Sequence, residues 1–110
     1  NVLFALAKAY GHMKNYRKAI RTMNRVERKM RRLSAPLKAD AYKYFAEMLE
    51  FEFLRQRNDD PKRAEISLLD KAITKWQRFR TFIRGSSSRG ERMALQRIEN
   101  LENMKNEMEL

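Results

Sequence analysis

The sequence predicts an all-α protein: about five antiparallel helices, paired as helical hairpins in a bundle or short solenoid. Three observations carry that expectation. Apolar residues recur at three- and four-residue steps along almost the whole of the 110 residues. Gly and Pro occur only three and two times, too few to punctuate a set of short strands. Most of the rest are Ala, Leu, Met, Lys, Arg, Glu and Gln, which lose least on entering a helix.

The first helix is expected from about Val2 to His12, with Leu3, Leu6, Ala7 and Tyr10 as its apolar stripe. Gly11 and Asn15 bracket a short turn. A second helix, about Tyr16 to Arg32, lines up Ala19, Met23, Val26 and Met30 on one face, joined by Ile20. Ser34 is the expected N-cap of a third helix, with Pro36 in the first turn, where its missing N–H costs nothing. That helix, about Leu37 to Arg57, is the most aromatic: Tyr42, Tyr44, Phe45, Phe51 and Phe53. Ala41, Phe45, Met48 and Leu49 give it a broad buried face.

Asn58-Asp59-Asp60-Pro61 reads as a stop and restart, with Asp59 or Asp60 capping a fourth helix over about Pro61 to Arg84. Leu69, Ala72, Ile73, Trp76, Phe79 and Ile83 form its apolar side. Arg84 to Gly90, rich in Gly and Ser, reads as a flexible loop. A fifth helix, about Glu91 to Glu109, sets Ala94, Ile98, Leu101 and Met108 near the same spacing. One domain over residues 1–110 is expected. The start at Asn1 rather than Met marks it as an expected piece of a longer chain.

The net charge of +11 is unevenly placed. Residues 1–33 hold ten basic and one acidic residue, and residues 75–97 hold seven and one. The stretch between them is close to neutral, and the last thirteen residues are acidic. The sharpest concentration is Lys14 to Arg32, with nine basic residues and a single acid, Glu27. Within it Lys14, Lys18, Arg21, Arg25, Arg28 and Arg32 step by three and four, which keeps them on one helix face opposite the apolar stripe.

A charge run is usually a solvated face. Solvated faces mix signs, however, because Glu–Lys pairs support a helix while like-charge neighbours cost tenths of a kcal/mol each. Six consecutive cations therefore point to an anionic partner. Their spacing of about 5–6 Å is comparable to that of backbone phosphates. Arg outnumbers Lys among them, and Arg grips phosphate bidentately or stacks on bases. A second block, Lys75, Arg78, Arg80, Arg84, Arg89 and Arg92, surrounds the Gly-Ser loop, and an Arg-bearing loop suits an irregular RNA surface. The expected RNA-binding residues are thus Lys14, Arg17, Lys18, Arg21, Arg25, Arg28, Arg32, Arg78, Arg80, Arg84, Arg89 and Arg92. The expected partner is structured RNA.

Other chemistries find little support. There is no Cys and one His, His12, which reads as a surface or turn residue. No Gly-rich phosphate loop follows a strand. Glu50 and Glu52 fall on different helix faces, and Asp59-Asp60 reads as a cap rather than a metal site. No enzyme activity, cofactor or metal is expected. The seven Met residues fit core gaps. No apolar run approaches the roughly 20 residues that span a bilayer, so no membrane insertion is expected, and the cytoplasm is the expected compartment. The alternative to RNA binding is a protein-interaction adaptor docking an acidic or helical partner. The aromatic third helix favours that alternative, because Tyr42, Tyr44, Phe51 and Phe53 exceed what one buried face holds.

Leu6, Ala7, Tyr10, Ala19, Met23 and Val26 follow the large, small, aromatic, Ala, large, small pattern of a tetratricopeptide hairpin, which the first two helices resemble. The chaperone-binding variant needs a Lys and Asn clamp where this chain has Phe4 and Lys8. The pentatricopeptide form, which fits the hairpin equally well, wants a polar base-reading residue where Phe4 stands. Arg17–Ile20, the charged run after it, and Leu37–Glu52 together resemble the RNA-binding helical domain of the larger subunit of the signal recognition particle heterodimer. That resemblance spans roughly residues 14–76. It implies a tetratricopeptide-like fold, RNA contact by Arg17, Lys18, Arg21, Arg25 and Arg28, and other protein subunits of a ribonucleoprotein as partners.

Overall fold

The most aromatic helix of the chain lies at the centre of the molecule, and the other four are arranged on it. The structure, a computed structural model, describes residues 2–85 and 87–109. In chain order the helices are α1 (Val2–His12), α2 (Tyr16–Lys29), α3 (Ala35–Asp59), α4 (Ile66–Ile83) and α5 (Ser88–Glu109). No strand occurs among the described residues.

The helix ends follow local chemistry. Ser34 caps α3 as expected, its hydroxyl accepting from the Leu37 N–H at 3.4 Å. The last turn of the expected second helix tightens into a 3₁₀ turn, Met30–Arg32. Pro61 opens only a 3₁₀ turn, Pro61–Arg63, so α4 begins at Ile66. Asp59 is therefore the last residue of α3 rather than a cap. Asp60 ends α3, and its carboxylate accepts from the Lys62 N–H at 3.0 Å. The expected loop over 84–90 is shorter than its composition implies. Arg84 and Gly85 form a turn, Ser86 lies outside the described residues, and Gly90 sits in the first turn of α5. The Ser87 hydroxyl accepts from the Gly90 N–H at 3.0 Å and so starts α5 earlier than Glu91.

At 25 residues α3 is about 37 Å long, nearly the full 40 Å extent of the molecule. Each other helix touches it by a named pair. The Tyr44 hydroxyl donates to the Ala7 carbonyl of α1 at 3.3 Å. Arg17 of α2 reaches Glu52 at 3.1 Å. Phe82 of α4 stacks on Tyr42, with ring centroids 5.7 Å apart. Arg97 of α5 reaches Glu50 at 3.0 Å. Neighbours on every side explain why α3 has apolar residues on every side. Tyr42, Phe45 and Phe53 are buried and Tyr44 half-buried, and Phe51 packs on Tyr16. Most of the aromatic surplus is packing.

Consecutive helices are antiparallel, so α1, α3 and α5 run one way and α2 and α4 the other. Two ion pairs place α2 beside α4 in parallel register: Arg17 with Glu65, and Glu27 with Lys75. Both join residues 48 apart in sequence. Small residues sit where helices approach, with Ala7, Ala19, Ala41, Ala46, Ala72 and Ala94 fully buried. At Gly11 a Cβ would overlap the Tyr44 hydroxyl and press on the Met48 sulfur, so a larger residue there would displace Tyr44 from its bond to the Ala7 carbonyl.

The predicted apolar stripes are otherwise largely in the core. Ala19, Met23, Val26 and Met30 of α2 and Leu69, Ala72, Trp76 and Phe79 of α4 are buried, as are Ala94, Ile98 and Leu101 of α5. Leu6 is the clear departure, at 39% exposure. One residue from buried Ala7 turns it about 100° away from α2 and α3.

Candidate nucleic-acid interface

The cationic face is created by how α2 is seated. Lys14 takes a left-handed backbone conformation (φ 58°) that reverses the chain after α1. The Asn15 side chain then accepts from the Lys18 N–H at 3.4 Å and starts the helix. Burying Ala19, Met23, Val26 and Met30 fixes the rotation of α2, which obliges Lys18, Arg21, Arg25 and Arg28 to face outward. All four are exposed, and so are Lys14, Lys29, Arg31 and Arg32. Among the described residues no ion pair joins Arg21, Arg25, Arg28 or Arg32 to an acid. Lys18 lies with its Nζ 5.7 Å from the centroid of the Tyr10 ring.

Arg17 differs from the others. Its guanidinium joins Glu52 at 3.1 Å and Glu65 at 3.6 Å, tying the start of α2 to α3 and to the entry of α4. Glu52 itself is only 2% exposed. Burial pushes its pKa up, but hydrogen bonds from Arg55, Gln56 and Arg17 outweigh burial and hold the carboxyl below the usual range. Arg55 and Gln56 donate to it at 2.8 and 2.9 Å. Arg17 is thus positioned as a structural tie, although its side chain remains largely exposed.

Glu27, the single acid of the stretch, is also engaged. Lys75 of α4 meets it at 2.8 Å, with its Nζ also 4.7 Å from the centroid of the Phe45 ring. The Tyr42 hydroxyl is part of the same cluster. Its pKa is pushed up to about 12, by burial first and then by Glu27, with Arg78 pulling the other way. Lys75 and Arg78 therefore lie alongside the α2 face. Arg78 is exposed and has no acid partner among the described residues.

The rest of the second block is elsewhere. Arg80 is half-buried and paired with Glu91 at 3.1 Å. Arg84 borders the same small cleft as Arg80 and Glu91, at the corner between α4 and α5. Arg89 lines a groove with Pro36, Asp40, Phe82 and Met93, and Arg92 is exposed on the first turns of α5. The two predicted basic blocks meet at Lys75 and Arg78, while the remaining arginines form a separate corner.

Sequence reasoning missed several participants. Lys71 is an exposed cation of α4 on the same side as Arg78. Glu50 and Glu52 are both buried. The local signal for Glu52 was present in Arg55 and Gln56 one turn later, but its third partner, Arg17, lies 35 residues away. Among the described residues no three His, Asp or Glu side chains converge as a metal site, and no helix is long and apolar enough to cross a membrane. No protein-family model, curated protein or solved structure matches the chain.

Proposed function

We propose that this chain is an RNA-binding structural subunit of a ribonucleoprotein, gripping RNA phosphates through the outward face of α2. One observation carries the reading. Arg21, Arg25 and Arg28 of α2, with Arg32 in the 3₁₀ turn that follows, stand exposed and without acid partners among the described residues, while the other face of α2 is committed to the core. Folding does not need their charge, and their mutual repulsion opposes it slightly, so an anionic partner is the reading that accounts for them. The role is architectural: backbone contact without base readout and without catalysis, alongside other protein subunits, in the cytoplasm.

The tetratricopeptide-like part of the proposal is supported by the α1–α2 pair, where Ala7 and Ala19 are fully buried at the approach of two antiparallel helices. The resemblance of residues 14–76 to the large-subunit domain of the signal recognition particle makes that particle's RNA the first natural ligand to try. The rival reading of an adaptor loses most of its main argument, since Tyr44 is engaged by α1, Tyr42 by α4 and Phe53 is buried, leaving Phe51, on Tyr16 of α2, as the exposed aromatic.

The test is binding of a folded RNA followed by fluorescence anisotropy across salt. With about six phosphates neutralised, affinity should fall about 10³-fold between 50 and 200 mM salt. A flat salt response overturns the reading. Arg21→Glu, Arg25→Glu and Arg28→Glu together should abolish binding with helicity unchanged by circular dichroism. Undiminished binding by that folded variant would mean the stripe is an ordinary solvated face.

A further inference from the structure

The parallel register of α2 and α4 gives the cationic face a second row. Glu27 and Lys75 mark the line where the two helices face each other. At 100° per residue, Arg21, Arg25 and Arg28 turn from that line toward solvent on α2, and Lys71 and Arg78 turn toward the same side on α4. The offset of 48 residues sets Lys71 level with the interval between Arg21 and Arg25, and Arg78 just beyond Arg28. The two helices meet through these long side chains, Arg17 with Glu65 and Glu27 with Lys75, rather than by close approach of their backbones. The result is two rows of cations side by side, each pointing away from the core.

The ground between the rows is uncharged or spent. Glu27 is bound to Lys75. Asp70, farther round α4, is bound by Lys105 of α5 at 2.9 Å. The hydroxyls of Thr74 and Thr81 donate back to the carbonyls of Asp70 and Gln77. None of the exposed residues on this side of either helix is aromatic. Tyr42 and Phe79 are buried, and Phe82 is stacked on Tyr42. Proteins that hold single strands pair a basic groove with aromatic platforms for unstacked bases. A double helix keeps its bases stacked and offers two phosphate rows across a groove.

We propose that the α2–α4 face straddles a double-helical segment, with Arg21, Arg25 and Arg28 on one phosphate row and Lys71 and Arg78 on the other. This rests on the RNA reading above and specifies its ligand as duplex rather than extended strand. The two rows make phosphate contacts on both strands and ask nothing of base identity. Arg78 and Lys71 are binding residues of equal standing with those of α2.

The experiment titrates the full chain against three labelled probes, each across the same salt series: an RNA hairpin stem, a uridine homopolymer of equal phosphate number, and a DNA duplex of the same length. The stem should bind at least about tenfold more tightly than the homopolymer. Lys71→Glu with Arg78→Glu should cut stem affinity by a further tenfold or more and reduce the salt slope by about 2, with helicity unchanged. Equal or tighter binding of the homopolymer overturns the proposal while leaving RNA binding intact. So does a stem affinity that ignores the α4 variant. A preference for the DNA duplex keeps the two-row contact but overturns RNA as its source. If none of the three probes binds, the RNA reading itself falls and the proposal with it.

Discussion

Two helices of this molecule handle charge in opposite ways. On α3, Glu50 and Glu52 are buried, and each is held by cations from other helices or from the next turn. On α2, three arginines, Arg21, Arg25 and Arg28, are exposed with no acid partner among the described residues. Where charge serves the fold, the chain pairs it; where charge stands unpaired, the fold has no use for it. Arg17 makes the contrast inside a single helix. It is one turn from Arg21, yet two acids hold it while none holds Arg21.

The contrast can be broken most severely at Glu52. Glu52→Ala leaves Arg17, Arg55 and Gln56 without their common acceptor, and chemical denaturation should show a loss of about 3 kcal/mol. An effect below about 1 kcal/mol would mean that the cluster is not a structural tie. The next largest effect is expected at the α2–α4 contact. Lys75→Met keeps the stem over Phe45 but strands Glu27, and should cost about 1–2 kcal/mol. Arg17→Ala should cost about 1 kcal/mol while lowering RNA affinity less than Arg21→Ala does. Arg25→Ala should lie within about 0.5 kcal/mol of wild type in stability and register only in binding. A reversal of the last two patterns would erase the distinction between tie and interface.

Acid provides a finer test, because the two buried glutamates have opposite signs. The Glu52 pKa is lowered in the folded state, so its contribution is present above the ordinary carboxylate range and is lost as pH falls through the folded value. Burial raises the Glu50 pKa more than Arg97 lowers it, so its contribution is present below that range and is lost as pH rises through the folded value. Its Oε2 is buried without a hydrogen-bond partner among the described residues. Glu50→Gln should therefore match or exceed wild-type stability at neutral pH, with the difference fading on acidification. Glu52→Gln should be less stable at neutral pH and approach wild type as pH falls. Urea denaturation at pH 7 and below pH 4 separates the two.

Much of this was legible in the sequence because it is periodic. The three-four spacing from Ala19 to Met30 gave both the buried face of α2 and, by opposition, the outward one. Ser34 with Pro36 gave the start of α3. What escaped was set by partners distant in sequence. Nothing near Arg17 announces Glu52 or Glu65, and nothing near Lys71 says that it will stand level with Arg21 and Arg25. Composition also misled at Ser87–Gly90. Ser and Gly there suggested a loop, but a serine followed by Glu91 is equally a helix start, and the hydroxyl caps it.

The central position of α3 has a consequence for how the molecule opens. In a long solenoid each repeat leans only on its neighbours, and end units fray independently. Here no helix can leave without uncovering α3. The amides of Ala41 to Phe53 should exchange with solvent only through global unfolding, while those of α1 exchange through local opening at lower free energy. A surface mounted on α2 and α4 is thereby carried on a frame that moves as one cooperative unit.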